Sequence, residues 1–157
     1  EILTTYWQQR ADSLEGISTS RHYINAIADL NTETGIVFDN ISFKQALDKA
    51  CKENKLVFID CYADWCAPCK WLDRNTFKDE SIGEYFKEMF ISLKMNMEVD
   101  EGIELREKYE VMAFPTMLIL DSDGNEISRI LGALDVETLM SKIREVFLEL
   151  EKDKNQI

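Results

Sequence analysis

Cys66 and Cys69 are separated by two residues, a spacing that lets two thiols form and break a disulfide. The apolar, β-branched run before them, Leu56–Tyr62, predicts a strand buried on both faces, and the residues after them can continue as a helix. The first thiol would then lie at a helix N-terminus, where unpaired N–H groups and the helix dipole stabilise a thiolate. The second thiol would lie one turn further on, and Pro68 between them suits a first helical turn. The spacing therefore predicts a dithiol that exchanges with disulfides.

Two other interpretations of this spacing stay open. Half of a zinc site has the same pattern, but zinc takes about four ligands. The chain has no second C-x-x-C, its one histidine is His22, and Cys51 and Cys61 stand alone. A purely structural disulfide is the other possibility, although a loop this short would stabilise the fold little. Dithiol exchange fits best, with no metal and no organic cofactor expected.

The acidic composition excludes some classes of partner. The chain has 157 residues, with 18 basic against 30 acidic side chains and a net charge of −12. Nucleic acid and anionic membrane surfaces are therefore unexpected partners. No apolar run approaches the ~18 residues that a membrane span needs, so no membrane insertion is expected. The chain begins at Glu1 rather than Met, and we interpret it as a processed form whose targeting segment is missing.

Periodicity predicts the elements that position the cysteines. Ser42 and Gln45 form a capping-box pattern before a helix, and the helical spacing places Cys51 on its buried face as an inert core thiol. Asp79 and Asp135 are expected to cap later helices, the first of which carries Phe90 on its apolar face. The other expected elements are a strand over Ile91–Met97, a helix over Ile103–Tyr109, a hairpin of Thr116–Leu120 and Ile127–Leu131, an optional strand at Ile36–Phe38, and two short helices within residues 1–35.

Several segments resemble the thioredoxin family. The run from Asp60 to Lys70, DCYADWCAPCK, is similar to the thioredoxin active-site segment, including an acid six residues before the first cysteine. Phe114-Pro115-Thr116 resembles the loop that carries a cis-proline, and Leu131–Leu134 resembles the turn before the last helix. The run YADWC together with Thr76–Asp79 looks closest to the C-terminal thiol domain of the bacterial transmembrane disulfide reductase and its secreted relatives.

This resemblance implies an α/β thioredoxin-like fold, with a mixed central sheet flanked by helices. It covers roughly Ile36 to Leu150, so we expect a domain over residues 36–157 and a helical extension over residues 1–35. The implied function is thiol–disulfide exchange with protein disulfides, as a reductant or electron carrier supplied by a thiol donor. Disulfide isomerase, oxidant and redox-inactive interaction module are the alternatives. A monomer in the periplasm or another extracytoplasmic space is expected, with the cytoplasm as the alternative.

The resemblance also implies residue roles at the site. Cys66 would be the solvent-facing nucleophile, with a pKa below the ~8.5 of a free cysteine, and Cys69 the buried resolving thiol. Asp60 would accept the proton of Cys69, its pKa raised by desolvation, or would be a structural acid paired with a lysine. The remaining candidates are Lys94, matching the lysine that pairs with this acid, a cis Phe114–Pro115 bond that exposes backbone to substrate, and the apolar walls Trp65 and Phe114.

Two positions depart from the family pattern. Cys61 stands where thioredoxins commonly have an aromatic residue. Strand alternation points it away from Asp60, so we expect a core thiol. Asp64 places a negative charge close to the motif, where it could slightly oppose thiolate formation.

Overall fold

The computed structural model describes residues 34–155. Five helices, four strands and one turn of 3-10 helix lie in this part of the chain. In chain order they are α1 Phe43–Glu53, β1 Leu56–Tyr62, α2 Ala67–Arg74, the 3-10 turn Thr76–Lys78, α3 Glu80–Met89, β2 Phe90–Asn96, α4 Glu101–Lys108, β3 Thr116–Leu120, β4 Glu126–Leu131 and α5 Val136–Asn155. The compact unit that contains the sheet spans Thr34–Val146, and the last described turns of α5 belong to a second unit.

The four strands form one mixed sheet in the order β2-β1-β3-β4. Strand β1 runs parallel to β2 and antiparallel to β3, and β4 returns antiparallel to β3 as the predicted hairpin. Asp60 is paired in register with Lys94 on one side and with Met117 on the other. The expected mixed α/β sheet is confirmed, with the strand that precedes the cysteines at its centre.

Strand β1 is buried on both faces, as its continuous apolar run predicted. Val57, Ile59 and Cys61 belong to a core cluster that includes α1 residues such as Ala46 and Ala50. Phe58 points to the opposite face, where its ring packs edge-on against Phe86 with centroids 4.9 Å apart. Asp60 shares that opposite face by the two-residue period of a strand. The sheet therefore separates Asp60 from Cys61.

Three predicted helix caps are present. Ser42 accepts from the Gln45 N–H while the Gln45 side chain accepts from the Ser42 N–H, which completes the capping box. The side chain of Asp79 accepts from the Ser81 N–H, and that of Asp135 accepts from the Thr138 N–H. Each cap pairs a donor that would otherwise lack a partner at the start of a helix.

Three predictions about local structure are wrong. Cys51 is exposed, because Ala46 and Ala50 lie at the centre of the buried stripe and Cys51 lies about 100° around the helix from Ala50. Residues 36–38 form no strand, although the neighbouring Asp39 N–H donates to the Ser92 carbonyl at 2.8 Å. Phe90 begins β2 instead of ending α3, because its backbone is extended.

The two helices predicted within residues 1–35 both lie before residue 34, outside the described part of the chain. The boundary predicted between residues 35 and 36 stays a prediction. Across residues 34–155, no helix combines the length and the apolar character that crossing a bilayer requires.

Candidate active site

The turn between β1 and α2 places Cys66 at the start of a helix. Cys66 is the N-cap of α2, and its sulfur accepts a hydrogen bond from the Cys69 N–H at 3.2 Å. Pro68 occupies the first turn of α2, as predicted. The two cysteines form a disulfide with their Cα atoms 5.3 Å apart. The helix therefore presents backbone donors to the sulfur that would carry negative charge on reduction.

The expected contrast in exposure between the two cysteines is wrong for this disulfide form. Cys66 is 2% exposed and Cys69 is 1% exposed. Both pack with Ala63 in a small apolar cluster that Tyr62 and Phe114 flank. The neighbouring Trp65 is 69% exposed, so the indole is the open part of this turn. Cys66 is shielded because Tyr62, Ala63 and Phe114 pack around it, although the start of α2 alone would leave it open.

A lysine of β2 joins a carboxylate of β1 to one of α2. The Lys94 ammonium lies 2.9 Å from Asp60 Oδ2 and 2.5 Å from Asp73 Oδ1. It also lies 4.3 Å from the centre of the Tyr62 ring, within the range of a cation–π contact. The predicted pairing of Asp60 with Lys94 is confirmed. Asp73 adds a second carboxylate from α2, the helix that carries Cys69.

The Asp60 carboxyl is fully buried, and its Oδ1 has no hydrogen-bond partner. Burial raises the pKa of Asp60 to about 6, while the Lys94 charge and its hydrogen bond oppose that rise and the Asp73 charge adds to it. The pKa of Lys94 is also raised, because the two carboxylates outweigh desolvation, which acts in the opposite direction. Asp60 is therefore a carboxyl group that can exchange protons near neutral pH.

The loop before β3 brings Phe114, which precedes Pro115, to the cysteines. The Phe114–Pro115 peptide is cis, as predicted. Phe114 packs against the cluster that contains Cys66 and Cys69. The loop is fixed to its surroundings, since Pro115 accepts from the Gly132 N–H at 3.0 Å and Ala113 accepts from the Thr116 hydroxyl at 2.7 Å. Phe114 therefore lies beside the disulfide, on a loop that hydrogen bonds hold in place.

Two aromatic side chains border the site, and each has a charged neighbour. The rings of Trp65 and Phe114 meet edge-on with centroids 6.0 Å apart. The Trp65 indole N–H donates to Glu98 Oε1 at 2.7 Å. The Arg106 guanidinium lies 5.2 Å from the centre of the Phe114 ring. Glu98, which follows β2, and Arg106, which belongs to α4, thus hold the two predicted apolar walls in place.

Sequence reasoning missed Asp73, Glu98 and Arg106. Asp73 follows Cys69 by four residues, so the helical period places both on one face, a signal that the spacing already contained. Glu98 could have been found from the parallel pairing of β1 and β2, since Tyr62 and Asn96 are in register and both strands end at one edge. Arg106 gave no signal, because α4 is only weakly amphipathic.

Cys61 is a fully buried core thiol, as predicted. Burial raises the pKa of Cys61 far above its ordinary value, and the nearby Asp60 charge raises it further. Over residues 34–155, no group of three or more His, Cys, Asp and Glu side chains is arranged to hold a metal ion.

Comparison with known proteins identifies the family. A family model described as Thioredoxin matches residues 35–145. The chain belongs to the thioredoxin family. It has the thioredoxin fold, and its Cys66–Cys69 pair is a thiol–disulfide exchange centre. This domain is accordingly of the thiol–disulfide oxidoreductase type.

The relatives of this thioredoxin-family chain include DsbD proteins. The thiol:disulfide interchange protein DsbD of Haemophilus influenzae is 31% identical over 116 residues, which cover 71% of this chain and 20% of that protein. DsbD of Escherichia coli is 30% identical over 120 residues, covering 73% and 21%. The chain thus spans about a fifth of the length of these curated relatives.

Solved structures add two relatives. The solution structure of a "putative disulphide-isomerase" from Bacteroides thetaiotaomicron is 45% identical, with a TM-score of 0.66, and covers 73% of this chain and 94% of that one. The oxidised C-terminal domain of Neisseria meningitidis DsbD is 24% identical, with a TM-score of 0.56, and the match covers 70% of this chain and 97% of that one.

Proposed function

We propose that this thioredoxin-family domain reduces disulfides in other proteins and is itself re-reduced by a thiol donor. The observation that carries the proposal is the Cys66–Cys69 disulfide at the start of α2, with the Cys66 sulfur accepting a backbone hydrogen bond. A sulfur in this position is stabilised as a thiolate by the helix N-terminus. The similarity to DsbD, a thiol:disulfide interchange protein, favours exchange between thiols and disulfides.

The reaction begins at Cys66. The Cys66 thiolate attacks one sulfur of the substrate disulfide, forming a mixed disulfide, and the other substrate sulfur leaves as a thiolate that takes up a proton. Cys69 then loses its proton and attacks the Cys66 sulfur. The Cys66–Cys69 disulfide forms as the bond from Cys66 to the substrate breaks, and the second substrate thiol is released. Two electrons pass from the protein to the substrate.

Asp60 is the proposed acceptor of the Cys69 proton. Its pKa of about 6 leaves it ionised at neutral pH and still basic enough to take up a proton. Its ion pair with Lys94, which also contacts Asp73 on α2, connects the carboxylate to the helix that carries Cys69. Lys94 is proposed to orient Asp60 and to set its affinity for protons.

The substrate is proposed to lie along the loop that contains Phe114. An extended chain pairs through its backbone with an exposed backbone edge, and the residue before the cis-proline would supply that edge. Trp65 and Phe114 would contact apolar side chains next to the substrate disulfide, as the exposure of the Trp65 indole allows.

Disulfide isomerisation is a second candidate, favoured by the 45% identity to the Bacteroides protein. An isomerase uses the same Cys66 attack but releases the substrate after its disulfides have rearranged, without net transfer of electrons. The two candidates therefore share one site and differ in whether electrons are transferred to the substrate.

We further propose that the protein acts as a monomer in the periplasm or another extracytoplasmic space, and that residues 1–35 are an extension of a domain spanning 36–157. The DsbD similarity supports the compartment. Sedimentation equilibrium of the full chain would test the monomer, since a dimer mass would contradict it.

The deciding experiment measures insulin disulfide reduction, the rearrangement of scrambled ribonuclease, and the reduction potential of the Cys66–Cys69 pair. A reductant catalyses insulin reduction and has a potential near the ~−270 mV of reducing dithiol proteins, whereas an isomerase lies near ~−180 mV and restores ribonuclease activity. Absence of both activities would contradict the proposed function and leave a redox-inactive interaction module.

A further inference from the structure

The end of helix α4 has an unusual residue at a position that favours glycine. The Val111 N–H donates to the Arg106 carbonyl and the Glu110 N–H donates to the Glu107 carbonyl, the pair of hydrogen bonds that defines a Schellman motif. The residue in the left-handed region of this motif is Glu110, with φ of 50°. Glycine adopts that conformation without the steric penalty that a side chain incurs. The turn therefore needs support from elsewhere.

Arg129 of β4 supplies that support. Its guanidinium donates to the Tyr109 carbonyl at 2.6 Å and to the Glu110 carbonyl at 3.4 Å. These are carbonyls at the C-terminal end of α4, where helix acceptors lack partners and a positive charge is favourable. Glu126, on the same strand, accepts from Arg129 Nε at 2.9 Å and holds the guanidinium in this orientation. A second hydrogen bond links the same two regions in the opposite direction: the Tyr109 hydroxyl donates to the carbonyl of Gly124, in the turn before β4, at 2.6 Å.

The segment that follows the turn leads directly to the site. Val111 is buried, Met112 is 87% exposed, and Phe114 packs beside the cysteines. The far end of the segment is fixed to β4 by the bond from Gly132 to Pro115. Arg129 therefore anchors the start of the segment 111–115, and the hydrogen bond from Gly132 to Pro115 holds its end.

We propose that Arg129 is a positioning residue for substrate: by fixing the end of α4 to β4, it sets the position of residues 112–114, along which a disulfide-bearing polypeptide binds. The proposal rests on the proposed function, since it assumes that the substrate pairs beside Phe114. Arg129 acts through the loop and contacts neither cysteine in the structure. A small disulfide that reaches Cys66 without using the loop should not depend on Arg129.

The test compares Arg129→Gln with the unaltered full chain. We expect the KM for insulin to rise about 3- to 10-fold at nearly unchanged kcat, because substrate binding must now order the loop. Single-turnover oxidation of the reduced protein by hydroxyethyl disulfide should keep its rate. Arg129→Lys retains the charge without the planar fork and should fall between the two. Arg144→Gln, which removes an exposed arginine from α5, is the matched control and should leave both reactions unchanged.

A compensating change separates positioning from general destabilisation. Glu110→Gly gives the left-handed position its preferred residue, so the double variant with Arg129→Gln should recover much of the lost KM. Amide hydrogen exchange at Met112, Ala113 and Phe114 should be faster in Arg129→Gln and slower again in the double variant.

The results that would overturn the proposal are distinct from failure of the proposed function. An unchanged insulin KM in folded Arg129→Gln, or equal losses with insulin and hydroxyethyl disulfide, would show that Arg129 does not position the loop for substrate. If the unaltered chain reduces neither disulfide, the proposed function fails, and unchanged amide exchange in Arg129→Gln would then refute the anchoring as well.

Discussion

Asp60 and Cys61 are neighbours on β1 that face opposite sides of the sheet, and both are fully buried. Burial is the largest cause of the raised pKa at each of them. On the Asp60 side, a lysine holds the carboxyl group in a range where it can exchange protons at neutral pH. On the Cys61 side, the surroundings are mainly the apolar core, and the thiol stays neutral. The two faces therefore differ in what meets the buried group: the Lys94 ammonium keeps the Asp60 carboxyl able to transfer protons, whereas the apolar core leaves the Cys61 thiol inert.

The largest expected effect distinguishes the motif thiols from the core thiol. Cys66→Ser should abolish disulfide reduction, because it removes the nucleophile. Cys69→Ser should still attack a disulfide but fail to release it, accumulating a covalent complex through Cys66 that non-reducing electrophoresis would detect. Since Cys51 is exposed, these variants belong in a Cys51→Ser background. Equal trapping by both single variants would contradict the assigned roles.

The matched replacement on the other face is Cys61→Ser. It should retain exchange activity while lowering the free energy of unfolding by about 1–3 kcal/mol, because a hydroxyl replaces a thiol in an apolar core. Urea unfolding and insulin reduction measure the two effects. A loss of exchange in folded Cys61→Ser would show that the two sides of β1 are not functionally separate.

The next effect is that of Asp60→Asn, which should slow resolution of the mixed disulfide about 100-fold at neutral pH. The folded pKa of about 6 lies above the ordinary aspartate value of 3.8, so the contribution of Asp60 to stability is fully present below pH 3.8 and is lost as pH rises through 6. The unaltered protein should lose about 3 kcal/mol over that range through Asp60, and Asp60→Asn should not. Urea unfolding at both ends of the range measures this difference. An unchanged resolution rate would leave Asp60 only its structural pairing with Lys94.

A smaller effect is expected for Lys94→Met, which leaves the Asp60 carboxylate without its counter-charge. The pKa of Asp60 should rise above about 6. The free energy of unfolding at pH 8 should fall by about 2 kcal/mol, less than for a fully buried pair because the Lys94 side chain is 28% exposed. Lys49→Met, which breaks the exposed pair with Asp39, is the control and should cost below about 0.5 kcal/mol. Equal losses in the two variants would contradict the importance of burial.

The smallest effect concerns Asp73→Asn. The Asp73 charge raises the pKa of Asp60 and shares the Lys94 ammonium, so its removal should lower that pKa. Titration of the Asp60 carboxyl carbon by NMR measures the shift. Asp48→Asn removes an equal charge from an exposed position on α1 and should leave the titration unchanged. A rise in the Asp60 pKa would show that Asp73 stabilises the ionised form instead.

Local patterns in the sequence determined the parts of the site that depend on near neighbours. The C-x-x-C spacing, the run of Leu56–Tyr62 and the position of Pro68 predicted the strand, the turn and the helix start, because these are properties of a few consecutive residues. Strand alternation also placed Asp60 and Cys61 on opposite faces. The caps at Ser42, Asp79 and Asp135 follow the same logic, since each joins residues at most three apart.

Only the tertiary structure decided which distant residues meet. The indole of Trp65 contacts Glu98 from 33 positions away, Asp73 reaches Lys94 across 21 positions, and Arg129 reaches the Tyr109 carbonyl across 20. The burial of Cys66 and the exposure of Cys51 likewise depend on what packs beside them. Periodicity tells which face of an element is apolar, but the neighbour of each charged or reactive group is fixed by how the elements pack together, and those contacts set its pKa and its accessibility.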